Sequence, residues 1–178
     1  MTQSADVLDV LPGTTVRAHV RWSDAAGEAP PALPGFMVSS FSPLAAEIAE
    51  RCLREVYGQA PVTPAVGERI AIILVSVGGD VQTGSAVARS VEAGKRVAPL
   101  LFFQSVPNAV VGYVTKRWGL LGPVVCTSPI ADPMADALAV AELLFADDAA
   151  DQALLLLMEQ GLEPGRTDTA EAVLVAKA

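Results

Sequence analysis

Residues 68–84, ERIAIILVSVGGDVQTG, decide the fold class. The segment Glu68–Ser76 holds a continuous apolar, β-branched run, and a run without polar alternation marks a strand covered on both faces. Gly78-Gly79-Asp80 breaks the run and leads into a helix from about Asp80 to Ala93. A doubly covered strand feeding a helix is the repeating unit of a largely parallel α/β sheet.

The same alternation continues outward from this unit. Before it, Phe36–Ser40 reads as a short strand, and Ser42-Pro43 opens a helix to about Tyr57 with Ala46, Ile48, Ala49, Cys52 and Val56 as its apolar stripe. After it, Gly94–Val106 reads as an irregular apolar connection, and Pro107–Trp118 as a helix stopped near Gly119. Val124–Thr127 (VVCT) is a short strand. Asp132 is an N-cap with Pro133 at the first helical position, opening a helix to about Asp147. Gln152–Met158 and Ala170–Lys177 close the chain as an antiparallel pair around the turn-rich GLEPGRTDT.

At the other end, Thr15–Trp22 (TVRAHVRW) alternates Val16, Ala18, Val20 and Trp22 against Arg17, His19 and Arg21, a half-buried strand with His19 on its polar face. SDAAGEAPPALPG (23–35) is a Pro- and Ala-rich loop. The chain thus divides into an extension, 1–35, with a strand near 15–22, and a domain, 36–178.

Composition excludes several classes. Of 178 residues 52% are hydrophobic and 18% charged, which suits one compact domain and excludes global disorder. Two cysteines cannot build a multi-Cys zinc module or a disulfide scaffold. No apolar block approaches the roughly 20 residues of a membrane-spanning helix. MTQSADVLDV lacks the basic and apolar regions of a signal peptide, so the expected location is cytoplasmic, with reduced thiols. Twelve basic against twenty acidic residues, a net charge of −8, argue against nucleic acid as a partner. Charge is uneven: residues 51–117 carry eight basic groups against four acidic, whereas 121–178 carry ten acidic groups against Arg166 and Lys177.

Chemistry-bearing residues are few. VSVGGDVQTG (75–84) could hold an anion on backbone N–H groups at a helix start, but it matches no dinucleotide or phosphate-loop pattern. A glycine-bearing strand-to-helix turn without a ligand is the stronger reading. Cys126, in a strand just before a helix N-terminus, is a candidate nucleophile without a histidine nearby in sequence. Cys52 lies on an apolar stripe and reads as core. Asp132, Asp136, Asp147, Asp148 and Asp151 fall at helix ends or turns, where capping and solvation explain them. No metal or cofactor site is read.

FFQSVPNAVVGYVTKRWGLLGP (102–123) resembles the segment before the nucleophile in β-ketoacyl synthases, the condensing enzymes of fatty acid and polyketide synthesis. Asn108, Ala109, Val110, Val111 and Gly112 match the start of its helix, and Gly119, Leu120, Leu121, Gly122 and Pro123 its G-L-x-G-P turn. SPLAAEIAERCLREVYG resembles the first family helix, GERIAIILVSVGGD the second strand and glycine loop, ADQALLLLMEQG the strand after the nucleophile helix, and TAEAVLVAK the final strand of the N-terminal half. The likeness covers about residues 36–178 and is greatest for short, stand-alone N-terminal ketosynthase-like proteins of polyketide or aryl-polyene type pathways.

The resemblance implies an α/β fold: a single thiolase-like half-domain, a mixed five-stranded sheet with helices on both faces, plus the N-terminal strand-containing extension. It also implies what is missing. Gap-free counting from Gly122-Pro123, and back from Ala150-Asp151, places the family's nucleophilic cysteine at Ala131. Cys126 lies five residues earlier. The two catalytic histidines belong to the family's C-terminal half, and the lone His19 lies outside the resembling region.

The expectation is therefore a non-catalytic ketosynthase-like subunit, a scaffold or chain-length-factor-like partner of an active ketosynthase or an acyl carrier protein. The alternative is an acyl-thioester-processing enzyme, a hydrolase or acyltransferase, using Cys126 or a polar pocket; a remnant without a role is a third. In the thiolase-like fold the central helices of two halves pack between two sheets. The matching helix here, ADPMADALAVAELLFA, is apolar on nearly every face and expects burial on every face. An obligate oligomer follows, a homodimer or a heteromer with a ketosynthase. Phe103, Asn108, Val124, Val125, Cys126, Met134 and Leu138 are the interface or acyl-pocket candidates.

Overall fold

The computed structural model describes residues 13–22, 29–162 and 166–178. The segment read for a signal peptide, part of the Pro- and Ala-rich loop (23–28), and residues 163–165 of the last turn lie outside the described residues.

In chain order the described elements are β1 (Thr14–Arg21), α1 (Phe41–Tyr57), α2 (Pro64–Gly67), β2 (Ile70–Val75), α3 (Val81–Glu92), α4 (Pro99–Gln104), α5 (Asn108–Trp118), β3 (Val124–Thr127), α6 (Pro133–Ala146), β4 (Gln152–Glu159) and β5 (Thr169–Lys177). The strands form one mixed sheet in the order β1-β5-β4-β2-β3. β2 runs parallel to β3 and β4, while β5 is antiparallel to both β4 and β1. The antiparallel closing pair expected from the sequence is present.

All six residues of β2 are buried, because helices cover both sides of the sheet. Ile70, Ile72 and Leu74 point into a core shared with α1 and α5; Ala71, Ile73 and Val75 point into a second core under α6. β4 splits in the same way, with Leu154 and Leu156 toward α1 and Ala153 and Leu155 toward α6. With both faces apolar, register is held by packing size and ladder bonds rather than by polarity. Each large side chain so buried contributes roughly 1.5–3 kcal/mol.

The turn after α5 shows why its glycines are where they are. Gly119 caps α5 in the left-handed region at φ 70°, where a side chain costs strain. Gly122 lies against β2 so closely that a Cβ there would sit 2.3 Å from the Ile70 carbonyl oxygen. Leu121 N–H donates to the Gly67 carbonyl at 2.8 Å, locking the turn to α2.

Two expectations change. Phe36–Ser40 is not a strand: Leu33 and Phe36 form one isolated bridge around Pro34-Gly35, and Ser39 Oγ accepts the Phe41 N–H at 3.1 Å, so this segment serves as the lead-in to α1. The 94–106 connection contains α4, started by Pro99 with its fixed φ and only six residues long. The strand expected near 15–22 is β1, the edge strand of the sheet, hydrogen-bonded along β5.

Candidate functional site

The carboxyl ends of β2 and β3 open into a cleft of about 750 Å³. The chain leaves β2 through α3, α4 and α5 to reach β3, then returns over the opposite face through α6 to reach β4. Open α/β sheets bind ligands where connections diverge in this way. Ser76 and Asp80 line the cleft from the β2–α3 turn, Asn108 from the start of α5, and Cys126, Thr127 and Ser128 from β3.

The glycine loop is closed to an anion by the protein itself. Gly79 N–H donates to Ser76 Oγ at 2.8 Å, Val77 N–H to Glu159 Oε1 at 2.5 Å, and Gln82 N–H to Gln160 Oε1 at 3.1 Å. The buried Asp80 accepts from Thr83 N–H at 2.9 Å and Thr83 Oγ1 at 2.8 Å. Three of the donors an anion could use are already bonded, and two carboxylates stand beside them. This loop is a capped helix start.

Cys126 is half-buried, and burial pushes its thiol above the ordinary 9.0. Among the described residues lining the cleft, the other ionisable group is Asp80, itself engaged by Thr83. His19 sits on β1, at the opposite edge of the sheet, with Nε2 and Glu171 Oε1 2.6 Å apart. Four strand spacings of about 4.8 Å put it roughly 19 Å from β3, out of reach of Cys126. The thiol therefore stays protonated at neutral pH with no base against it. Cys52 is fully buried on the inner face of α1, and burial pushes its thiol up to about 12.

Ala131 stands exposed in the loop that enters α6. Asp136 Oδ2 accepts the Ile130 N–H at 2.6 Å and the Ala131 N–H at 3.3 Å, and Asp132 caps the helix by accepting the Ala135 N–H at 2.8 Å. The position two residues before α6 thus carries a methyl group, with its backbone N–H bonded to a carboxylate.

Asn108 and Cys126 are the sequence candidates that the cleft brings together. Phe103 projects from α4, 58% exposed, and Val124 lies 46% exposed on β3, which among the described residues pairs with β2 alone. Val125 packs against the core under α6. Met134 and Leu138, expected at an interface or acyl pocket, are buried against the chain's own sheet; their helical spacing puts them on the inner face of α6. Glu159 and Gln160, which hold the glycine loop, escaped the sequence reading. They lie about eighty residues beyond it, and only the β2–β4 register brings them there.

The family model of the β-ketoacyl synthase N-terminal domain matches residues 38–176. Comparison with curated proteins finds no match. A chain in the structure of the ketosynthase ApeO in complex with its chain length factor ApeC, from Xenorhabdus doucetiae, superposes with a TM-score of 0.65 at 17% identity, over 94% of this chain and 80% of that one. A chain of the ishigamide ketosynthase/chain length factor gives 0.64 at 17% identity, over 90% and 54%. A β-ketoacyl synthase from Burkholderia phymatum STM815 gives 0.67 at 18% identity, over 88% and 46%. This chain therefore spans about half the length of the last two. The shared fold is the thiolase-like ketosynthase half-domain. With the match running from the lead-in of α1 nearly to the end of β5, the chain belongs to the β-ketoacyl synthase N-terminal-domain family.

Proposed function

We propose that the chain is a non-catalytic ketosynthase-like subunit, a scaffold or chain-length-factor-like partner of an active ketosynthase, within a cytoplasmic fatty acid or polyketide system of, for example, the aryl-polyene type. One observation carries the reading: Ala131 stands at the α6 entrance, where the family resemblance places the nucleophile. Acyl transfer needs a thiolate there, and decarboxylative condensation needs further groups to stabilise the developing enolate. Here the entrance offers a methyl group and the Asp136 carboxylate, which would oppose a developing negative charge.

The likeness to chains from ketosynthase/chain length factor structures supports a heteromeric role, and the free edge of β3 offers a place for a partner strand. An acyl carrier protein is the further partner that such a subunit would help to present. The alternative, thioester processing by Cys126, is weakened by the raised thiol and by the distance to His19.

Two measurements test the proposal. Incubation with an acyl-carrier thioester, followed by intact mass spectrometry, is expected to leave the chain unmodified; an acyl adduct on Cys126 would install the alternative. Affinity purification of the tagged chain from its native host is expected to bring down a ketosynthase in a fixed ratio. A monodisperse chain without one sinks the subunit reading.

A further inference from the structure

A second cleft, of about 460 Å³, opens between α1, α5 and the 31–34 segment. Three guanidiniums, of Arg51, Arg54 and Arg117, line it beside the carboxylates of Glu47 and Glu50. Arg51 Nε donates to Glu47 Oε1 at 2.7 Å, and its guanidinium lies 4.8 Å from the centre of the Trp22 ring. That charge is matched within α1.

Glu50 takes the other two guanidiniums at once. Arg54 Nε and Arg117 Nη2 donate to the same oxygen, Oε1, each at 2.8 Å, while Arg117 Nε and Trp118 Nε1 donate to Oε2. These bonds lower Glu50 to about 2, so it stays charged at neutral pH and holds two like charges side by side. One positive charge is left over. Arg54 spends only its Nε on Glu50; among the described residues its two Nη groups take no partner, nor does Arg117 Nη1. Beside these donors the cleft wall is aliphatic, with Pro31 and Pro34 exposed and Pro43 buried at its base.

We propose that this cleft binds an aliphatic monocarboxylate, its carboxylate on the outer N–H groups of Arg54 and Arg117 and its apolar body along the proline wall. The parallel N–H groups of a guanidinium match the two oxygens of a carboxylate. A single surplus charge suits a monoanion over a dianion, and the prolines suit a ligand with an apolar part over a bare inorganic ion. The Glu50 carboxylate is then a positioning group as well as the clamp between α1 and α5.

A free acid and the end of a polypeptide carry the same chemistry, so hexanoate and N-acetylleucine serve as the two probes. Titration of the full chain is followed by the NMR signals of the Arg54 and Arg117 Nε–H groups, both held on Glu50. At least one probe is expected to give a saturating shift, and the tighter binder names the source. Hexanamide, with the same body and no charge, is expected to give none, and inorganic phosphate to bind about tenfold more weakly. Arg54→Gln removes the outer donors and leaves Arg117 doubly bonded to Glu50. It is expected to weaken binding about tenfold, the worth of a charge-assisted hydrogen bond, with the Trp118 indole signal in place. Shifts that stay linear for both carboxylates overturn the proposal, as does equal affinity in Arg54→Gln. So does phosphate bound as tightly as hexanoate, which would leave a counter-ion site only. No ketosynthase or acyl thioester enters the experiment, so its failure is distinct from that of the proposed function.

Discussion

α1 and α6 lie on opposite faces of one sheet, and they differ in how far this chain completes them. α1 buries ten residues, from Phe41 to Leu53, and its outer side is closed by charge. Glu50 accepts from Arg54 Nε, Arg117 Nε and Nη2, and Trp118 Nε1, all at 2.8 Å, binding α1 to α5. α6 has a comparable inner face, but among the described residues its outer side shows no such closure: Glu142 and Asp147 stand exposed beside Leu143, while Asp136 is tied to the loop before the helix. Among the described residues, then, α1 is covered on both sides and α6 on one.

The contrast can be broken first at α1. Trp118 is 1% exposed and its indole donates to Glu50, so Trp118→Ala removes packing and one of the donors that hold α1 to α5. Its expected cost is about 3–5 kcal/mol by denaturant unfolding. A cost under about 1 kcal/mol would mean that the α1–α5 layer is not the closed side of the molecule.

Two leucines of α6 sharpen the comparison within one helix. Leu138 is 2% exposed, Leu143 65%. Leu138→Ala is expected to cost about 2–5 kcal/mol, and Leu143→Ala less than about 0.5 in the chain alone. Equal costs in the isolated chain would show that the outer face is already covered.

Where the sequence was legible, the reason is local. The Ile70–Val75 run, the Asp132-Pro133 start of α6 and the Gly119 stop of α5 each carry their signal within a few residues, and each element appears as read. Phe36–Ser40 misled because three apolar residues beside two serines resemble a strand, while the segment's structure is set by the Pro34-Gly35 turn and the start of α1. The six-residue α4 offers too little period to detect. At the site, the absence of a cysteine at Ala131 could be read by counting, but the closure of the glycine loop by Glu159 and Gln160 could not. Those contacts depend on which strand lies beside β2, and nothing in 75–84 names β4 as the neighbour.

Helix starts give a smaller test. α1 has no side-chain cap at Ser40, whose hydroxyl donates to the Asp168 carboxylate instead. α6 starts in the open and relies on Asp132. Asp132→Ala is expected to cost about 1 kcal/mol, while Ser40→Gly should leave the first turn of α1 in place by amide exchange. Exchange of the Ala135 amide should rise in Asp132→Ala. Unchanged protection there would show that a contact other than the cap holds the start of α6.

The smallest expected effect is one of pH, and it separates the two outer faces by their charges alone. Bonds from the Arg117 guanidinium, then from Trp118 and Arg54, outweigh the upward push of burial and lower Glu50 from 4.5 to about 2. A carboxylate lowered in the folded state adds stability that is complete above its unfolded value and is lost as pH falls through its folded one. Glu50 therefore stabilises fully above about 4.5 and loses its contribution progressively toward about 2. In a partly solvated network the contribution is about 1 kcal/mol after screening. Glu50→Gln should flatten the stability profile in that window. If the profile of Glu50→Gln keeps the wild-type slope there, the charges over α1 do not hold that face, and the asymmetry between the two helices does not stand.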